Sequence, residues 1–241
     1  SSTGERNQRT IKEILFRPTI TKESNLAFFF PLGEEVNANT VQDWGPNNLI
    51  GTVNGNPPRY PGRVGSAFRF PQGSGMQIEV KHHRSMRMNN NGAYTHNVWI
   101  RMEVGSQHWG AVAGRDGARQ YYFFLGNNNS ANGGYIHHRF KQGSNNNSGI
   151  SDAYRVSTNA WTMVTVMNEG NPGNAKTYLN GAPIQTASLT DTIGVEQTSS
   201  YKIGNGNLKA SLQNVRLYNV AFTDAEVLSM YNSVDAESGA V

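Results

Sequence analysis

Cysteine is absent from this chain, which excludes a disulfide framework and a thiolate metal site together. No stretch approaches the roughly 20 consecutive apolar residues that a bilayer-crossing helix needs. The first ten residues, SSTGERNQRT, contain no apolar segment of the kind a secretory leader carries. The expectation is a soluble chain with no export signal and no membrane insertion. Charge is also scarce. Charged residues make up 16% of the 241, and the net charge of +4 is spread over many loops, too little and too dispersed to indicate nucleic-acid binding. The short signatures of several enzyme classes are missing as well: there is no G-x-S-x-G, no H-E-x-x-H and no P-loop pattern.

What is present is a dense series of strand signals. The clearest is WTMVTVMNEGNPGNAKTYLNG at 161–181. Its first run is rich in β-branched and aromatic residues, its second alternates, and the loop between them carries Gly170, Pro172 and Gly173. The closing Asn180-Gly181 pair tolerates the positive φ of a tight hairpin turn. Strand-like runs also read at LAFFFPL, IGTVNG, SAFRF, MQIEV, NVWIRMEV, WGAVAGR, QYYFFLG, YIHHRF, YKIGN and LQNVRLYN, separated by Gly, Pro or Asn. The asparagine runs at 89–91, 127–129 and 145–147 are read as loop tips. One helix is well signalled, with Thr223 as its cap, Glu226 three residues on, and Val227, Leu228, Met230 and Tyr231 as its apolar stripe. Many short strands with one late helix predict an all-β, two-sheet antiparallel sandwich.

Three segments are read from this pattern: a polar arm at 1–24, a sandwich domain at 25–232 and a tail at 233–241. The arm holds TIKEILF in a charged setting, and Thr10 with Glu13 has capping-box spacing. An arm this polar frays unless something ties it down. Its apolar residues Ile11, Ile14, Leu15 and Phe16 are therefore expected to touch a neighbouring subunit or another protein, the alternative being that the arm folds back on its own domain. The most concentrated positive charge, KHHRSMRM, offers Lys81, Arg84 and Arg87 to an acidic protein surface or anionic glycan, the alternative being a solvated loop.

Two groups of side chains are candidates for a ligand face. In NVWIRMEV, alternation sends Val98, Ile100, Met102 and Val104 one way and Trp99, Arg101 and Glu103 the other. In YIHHRF one face carries Tyr135, His137 and Arg139. Aromatic planes beside hydrogen-bonding groups suit a sugar or partner groove, although a strand tryptophan also serves as core and Arg beside Glu as a surface ion pair. The close acidic pairs Glu34/Glu35, Asp224/Glu226 and Asp235/Glu237 fall in a loop, a helix start and the tail, where structural or solvated roles are expected.

The order of these phrases resembles the laminin-G-like, concanavalin A-like jelly-roll family over about 25–232. The resemblance is carried by GRVGSAFRF at 62–70, NVWIRME, WTMVTV with TYLNG, and LQNVRLYNVAFTDAEVLSMYN at 212–232. It implies a jelly-roll fold and leaves function wide, since relatives include glycan-binding modules, adhesion domains, some glycosidases and lyases, and virus-particle components. The Glu-x-Asp-x-x-Glu strand of retaining glycosidases on this fold is missing here, as is the Gln-x-His partner of its lyases. The resemblance allows calcium, its early Asp matching Asp43, while its later acidic pair falls on Gln213 and Asn214. Asp43 and Asn214 are thus the candidate metal ligands, with a turn role as the alternative for Asp43. The expected function is that of a non-enzymatic structural interaction protein, a virion decoration, fibre or spike component that forms a homo-oligomer on the virion surface. No cofactor is required. The alternative is a carbohydrate-binding or adhesion module, extracellular or on the cell surface, with a glycan-cleaving enzyme third.

Overall fold

The computed structural model describes residues 22–35, 37–87, 92–104, 110–115, 121–125, 134–142, 145–170, 173–188, 199–206 and 208–238. Its strands, in chain order, are β1 (Leu26–Phe30), β2 (Thr40–Gln42), β3 (Ile50–Asn54), β4 (Arg59–Pro61), β5 (Ser66–Phe70), β6 (Gln77–Val80), β7 (Tyr94–Met102), β8 (Gly110–Arg115), β9 (Tyr121–Leu125), β10 (Gly134–Gln142), β11 (Asn145–Val156), β12 (Trp161–Asn168), β13 (Asn174–Leu179), β14 (Ala182–Ser188), β15 (Tyr201–Gly206) and β16 (Ala210–Tyr218), followed by helix α1 (Asp224–Ser238). They form two eight-stranded antiparallel sheets, a jelly-roll sandwich with a C-terminal helix. The first sheet runs β14-β13-β12-β7-β16-β5-β4, with β1 added on β16 beside β5, and the second runs β11-β10-β9-β8-β15-β6-β3-β2.

The hairpin read from 161–181 is present. Strands β12 and β13 pair from Val164↔Leu179 to Asn168↔Ala175, and the turn into β14 has φ of 49° at Asn180 and 80° at Gly181. A Cβ on Gly181 would lie 3.1 Å from atoms of Leu228 and Tyr231, so this turn requires glycine both for its φ and for the close approach of α1. Four strands escape the sequence reading. β2 and β4 are only three residues long, β14 carries no apolar alternation, and β11 begins in the asparagine run 145–147 that was expected to be a loop tip. Asparagine disfavours strands only weakly, and pairing with β10 from Gly134↔Val156 to Gln142↔Asn145 overrides that preference. The runs at 89–91 and 127–129 lie outside the described residues.

Between the sheets lies one core, in which Val98, Ile100 and Met102 of β7 meet Ile78, Val112, Ile136 and Ile203 of the second sheet. A second apolar layer covers the outer face of the first sheet, where Trp99, Met163, Met167, Tyr178 and Tyr218 lie under Phe222, Val227 and Met230 of the C-terminal segment. Strands β7, β12 and β16 are therefore buried on both faces along most of their length. Trp161 is half-buried at the margin of this outer layer.

The helix starts as its sequence predicts. Thr223 N–H donates to Glu226 Oε2 at 2.7 Å and Glu226 N–H donates to Thr223 Oγ1 at 3.2 Å, a reciprocal capping box. Thr223→Ala is expected to cost about 1 kcal/mol of unfolding free energy, read by urea denaturation; an unchanged midpoint would show that tertiary packing alone holds this end. The stripe differs at one position, since Leu228 is 47% exposed while Val227 and Met230 are buried. The helix runs to Ser238, so most of the expected tail is helical. Lys22, from the end of the arm, caps the same corner through a 2.9 Å ion pair with Glu226 and a position 5.0 Å over the Phe222 ring. Arm residues Ile11, Ile14, Leu15 and Phe16 lie outside the described ones. Among the described residues no helix is long and apolar enough to cross a membrane.

Candidate functional site

The outer face of the first sheet is not covered uniformly. Helix α1 shields its middle, and at the end of the sheet formed by β4, β5, the start of β16 and the finish of β7 a cavity of about 490 Å³ opens. Strand register explains which side chains meet there. Arg101 pairs across β7 with Ser211 on one side and Trp161 on the other, Ser211 pairs with Arg69, and Tyr60 on β4 lies opposite Ala67 of β5. Paired residues share a face, so Arg69, Ser211 and Arg101 form one outward row, while Phe68 and Phe70 point into the core. The cavity is lined by Arg59, Tyr60, Arg69, Arg101, Glu103 and Lys209, together with Pro58, Val104 and Asn159.

These groups divide by what already occupies them. Arg59 is structural: its guanidinium donates to the carbonyls of Glu34, Pro57 and Glu35 at 2.7, 2.5 and 2.6 Å and lies 3.5 Å over the Phe68 ring. Arg69 makes a two-point pair with Glu103, Nε to Oε1 at 2.6 Å and Nη2 to Oε2 at 2.8 Å. That hydrogen bond holds the Glu103 carboxyl below the usual carboxylate range, with Arg69, Lys209 and Arg101 adding charge attraction. Arg101 is different. It is half-buried, its Cζ sits 4.4 Å over the Tyr60 ring, and its N–H fork has no hydrogen-bond partner among the described residues. Lys209 spends one of its three donors on Val104 O at 2.9 Å. The Oγ of Ser211, buried in the row between Arg69 and Arg101, likewise has no partner among the described residues.

Two of the sequence's candidates, Arg101 and Glu103, are therefore brought together in one cavity. Trp99 is not with them. It is 1% exposed, stacked on Tyr231 with ring centroids 5.8 Å apart, and has Arg63 Cζ 3.9 Å over its ring. A tryptophan this buried beneath α1 offers no platform to a sugar. Tyr135 and His137 sit half-buried on the outer face of the second sheet, since their neighbours Ile136 and His138 point into the core between the sheets. They are thus on the opposite side of the sandwich from Arg101, so the two candidate groups lie on different sheets. The side chain of Arg139 lies outside those described.

Asp43 has the turn role. Its Oδ1 accepts from the N–H groups of Phe29 and Gly45, both at 2.7 Å, and its Oδ2 accepts from Leu49 N–H at 3.2 Å. Asn214 has a φ of 53° at a bulge in β16, and its N–H donates to Pro31 O at 3.0 Å. Gln213 holds the β4–β5 turn by donating to Val64 O at 2.6 Å and accepting from Arg63 N–H at 2.9 Å. Calcium takes six to eight oxygens. Both Asp43 oxygens already accept from backbone N–H groups, and no group of three or more His, Asp or Glu is placed to share a cation among the described residues. In KHHRSMRM, Met86 is buried and His83 caps a single 3₁₀ turn, leaving Lys81, Arg84 and Arg87 exposed.

Sequence reasoning missed Tyr60, Arg69 and Lys209. For Arg69 a signal existed, since alternation in SAFRF puts it opposite Phe68 and Phe70. Tyr60 was hidden in a proline-rich stretch read as loop, and Lys209 in the approach to β16.

A family model described as the concanavalin A-like lectin/glucanases superfamily matches residues 72–228. No curated protein sequence matches the chain. Among solved structures, the binding domain of Paraclostridial Mosquitocidal Protein 1 superposes with a TM-score of 0.74 at 18% identity, over 88% of this chain and 53% of that one. Botulinum neurotoxin type C, whose cell entry depends on interaction with two ganglioside molecules, gives 0.71 at 15%, over 88% and 52%. The binding domain of botulinum neurotoxin DC, solved with rat synaptotagmin II and with SialylT, gives 0.69 at 16%, over 89% and 52%. The chain thus spans about half the length of these neighbours. At such identities the likeness is one of fold.

Proposed function

Because the chain belongs to the concanavalin A-like lectin/glucanase superfamily, we propose that it is a non-catalytic, lectin-like binding module whose ligand is a saccharide held in the Arg101 cavity. The observation that carries this reading is the Arg101 fork, positioned over the Tyr60 ring in a cavity of about 490 Å³, a size typical of small-ligand sites. The solved neighbours are binding domains of toxins, which agrees with a binding role. Catalysis finds no support in the cavity. Glycoside hydrolysis uses two carboxyl groups about 5–5.5 Å apart in retaining enzymes, whereas among the described residues the lining contributes one carboxylate, Glu103, locked to Arg69. The reading requires no cofactor, and its natural setting is extracellular or at a cell surface. The virion reading, with its homo-oligomer, rests on the 1–24 arm, and residues 1–21 lie outside the described ones; the neighbours above do not add to it.

A glycan array tests the proposal. The wild-type chain is expected to bind a defined subset of glycans, and Arg101→Ala to weaken that binding about 30-fold, the loss of roughly 2 kcal/mol of charge-assisted hydrogen bonding. A blank array at high protein concentration would defeat it.

A further inference from the structure

The cavity's charge narrows the class of saccharide. Four cations, Arg59, Arg69, Arg101 and Lys209, line it with the carboxylate of Glu103. Two of the cations are spent within the protein, Arg59 on three backbone carbonyls and Arg69 on Glu103. Among the described residues, that leaves Arg101 with an unoccupied N–H fork and Lys209 with spare donors, and the cavity lining with excess positive charge.

A neutral sugar would satisfy these donors poorly. Hydroxyl oxygens can accept from them, but a half-buried guanidinium keeps its charge whatever sits opposite, and only an anion offsets it at short range. The planar fork matches a carboxylate in two-point geometry, whereas an ammonium acts as a point charge. Lys209 and Arg101 flank Glu103 closely enough for both to lower its carboxyl's proton affinity, so the two free cations share one neighbourhood.

We propose that the cavity recognises an acidic saccharide, with a carboxylate or sulfate group seated on the Arg101 guanidinium and Lys209 Nζ and the sugar ring beside Tyr60. This rests on the saccharide-binding reading above and goes further by fixing the ligand's charge. Both acidic groups present the same chemistry to the fork, an anion with two or more acceptor oxygens that can take its two parallel N–H donors, and the paired acidic and neutral probes tell them apart.

Calorimetric titration of the full chain with four probes tests this: a glucuronate-bearing disaccharide, a sulfated disaccharide, and the neutral parent of each. The expected result is at least tenfold tighter binding of one or both acidic probes than of their neutral parents. That preference should shrink several-fold as NaCl rises from 50 to 500 mM, since partly exposed charges are screened. Arg101→Ala should abolish the preference and Lys209→Ala reduce it. Lys202→Ala, on the outer face of the second sheet, should leave it intact. Near-UV circular dichroism of each variant separates lost binding from lost fold. Equal binding of neutral and acidic probes overturns the acidic class and leaves the saccharide reading standing. Silence from all four probes, together with a blank array, removes both. Acidic binding that survives Arg101→Ala in a folded protein places the site elsewhere and overturns the assignment.

Discussion

Trp99→Ala is expected to lower the unfolding free energy by about 3–5 kcal/mol, the range for truncating a buried tryptophan. The residue is 1% exposed and belongs to the outer apolar layer with Met163, Tyr178, Val227 and Met230. Alanine would remove the ring that Tyr231 stacks on and that Arg63 covers, leaving a void between the first sheet and α1. For a chain of this size, about 2–4 °C of melting temperature per kcal/mol implies a drop of roughly 6–20 °C. Trp99→Phe should lose less, because it keeps an aromatic surface against Tyr231. Thermal and urea unfolding of the three proteins check this. A Trp99→Ala protein with unchanged stability and lost saccharide binding would return Trp99 to the ligand face that its strand position first implied.

Acid should destabilise the protein well above the carboxylate range, through two imidazoles in the core. Tyr94 and His96 lie on β7 of the first sheet, His138 on β10 and Tyr201 on β15 of the second. Tyr94 Oη hydrogen-bonds His138 Nε2, and Tyr201 Oη hydrogen-bonds His96 Nε2 at 2.5 Å, so both pairs join the two sheets across the core. Burial pushes each imidazole down to about 3, with His96 adding to the effect on His138. An unfolded histidine titrates near 6.5. Between these values the unfolded chain binds more protons than the folded one, so the stability contributed by the neutral pairs is complete above about pH 6.5 and is lost as pH falls towards 3. The slope is up to about 1.4 kcal/mol per pH unit for each histidine, hence about 2.7 for the two together. The carboxyls of Glu103 and Asp224, held low by Arg69 and by Tyr178 respectively, add their own losses only at more acid pH. Between pH 6.5 and 5 the two histidines set the slope, opposed in part by Glu34, whose carboxyl is pushed up by burial and so gains stability as pH falls. Urea denaturation at pH 7.5, 6.5, 5.5 and 5.0 should show a falling free energy, and His96→Gln should halve the slope while keeping a neutral group near Tyr201. A flat profile over this window would show that the imidazoles are protonated in the folded state.

Much of this architecture is legible in the residues. Alternation in NVWIRMEV sends Val98, Ile100 and Met102 into the core, Asn180-Gly181 forms the tight turn it predicts, and Thr223 with Glu226 closes a capping box. Each depends on local backbone geometry or on a period of two, which a linear chain displays directly. The family order GRVGSAFRF, NVWIRME, WTMVTV and LQNVRLYN belongs to the same kind of information, and it identified the jelly roll. The candidate site was legible only in part. Arg101 and Glu103 stood out because they share a strand face with an aromatic residue, yet the periodicity of β7 could not show that α1 would cover Trp99 and leave Arg101 open.

By itself, then, the sequence determined the strand faces, the turns, the helix start and the family, because those follow from neighbours in the chain. Tertiary structure decided which faces stay exposed and which charges find partners. It put Tyr135 and His137 on the sheet opposite Arg101, since the two strands belong to different layers. It spent Arg59 on backbone carbonyls and Arg69 on Glu103, 34 residues away in sequence. It also left the Arg101 fork over Tyr60 with no such partner among the described residues. The free energy of a charge is set by what lies within a few ångströms of it, and in a sandwich those neighbours come from strands far apart in the chain.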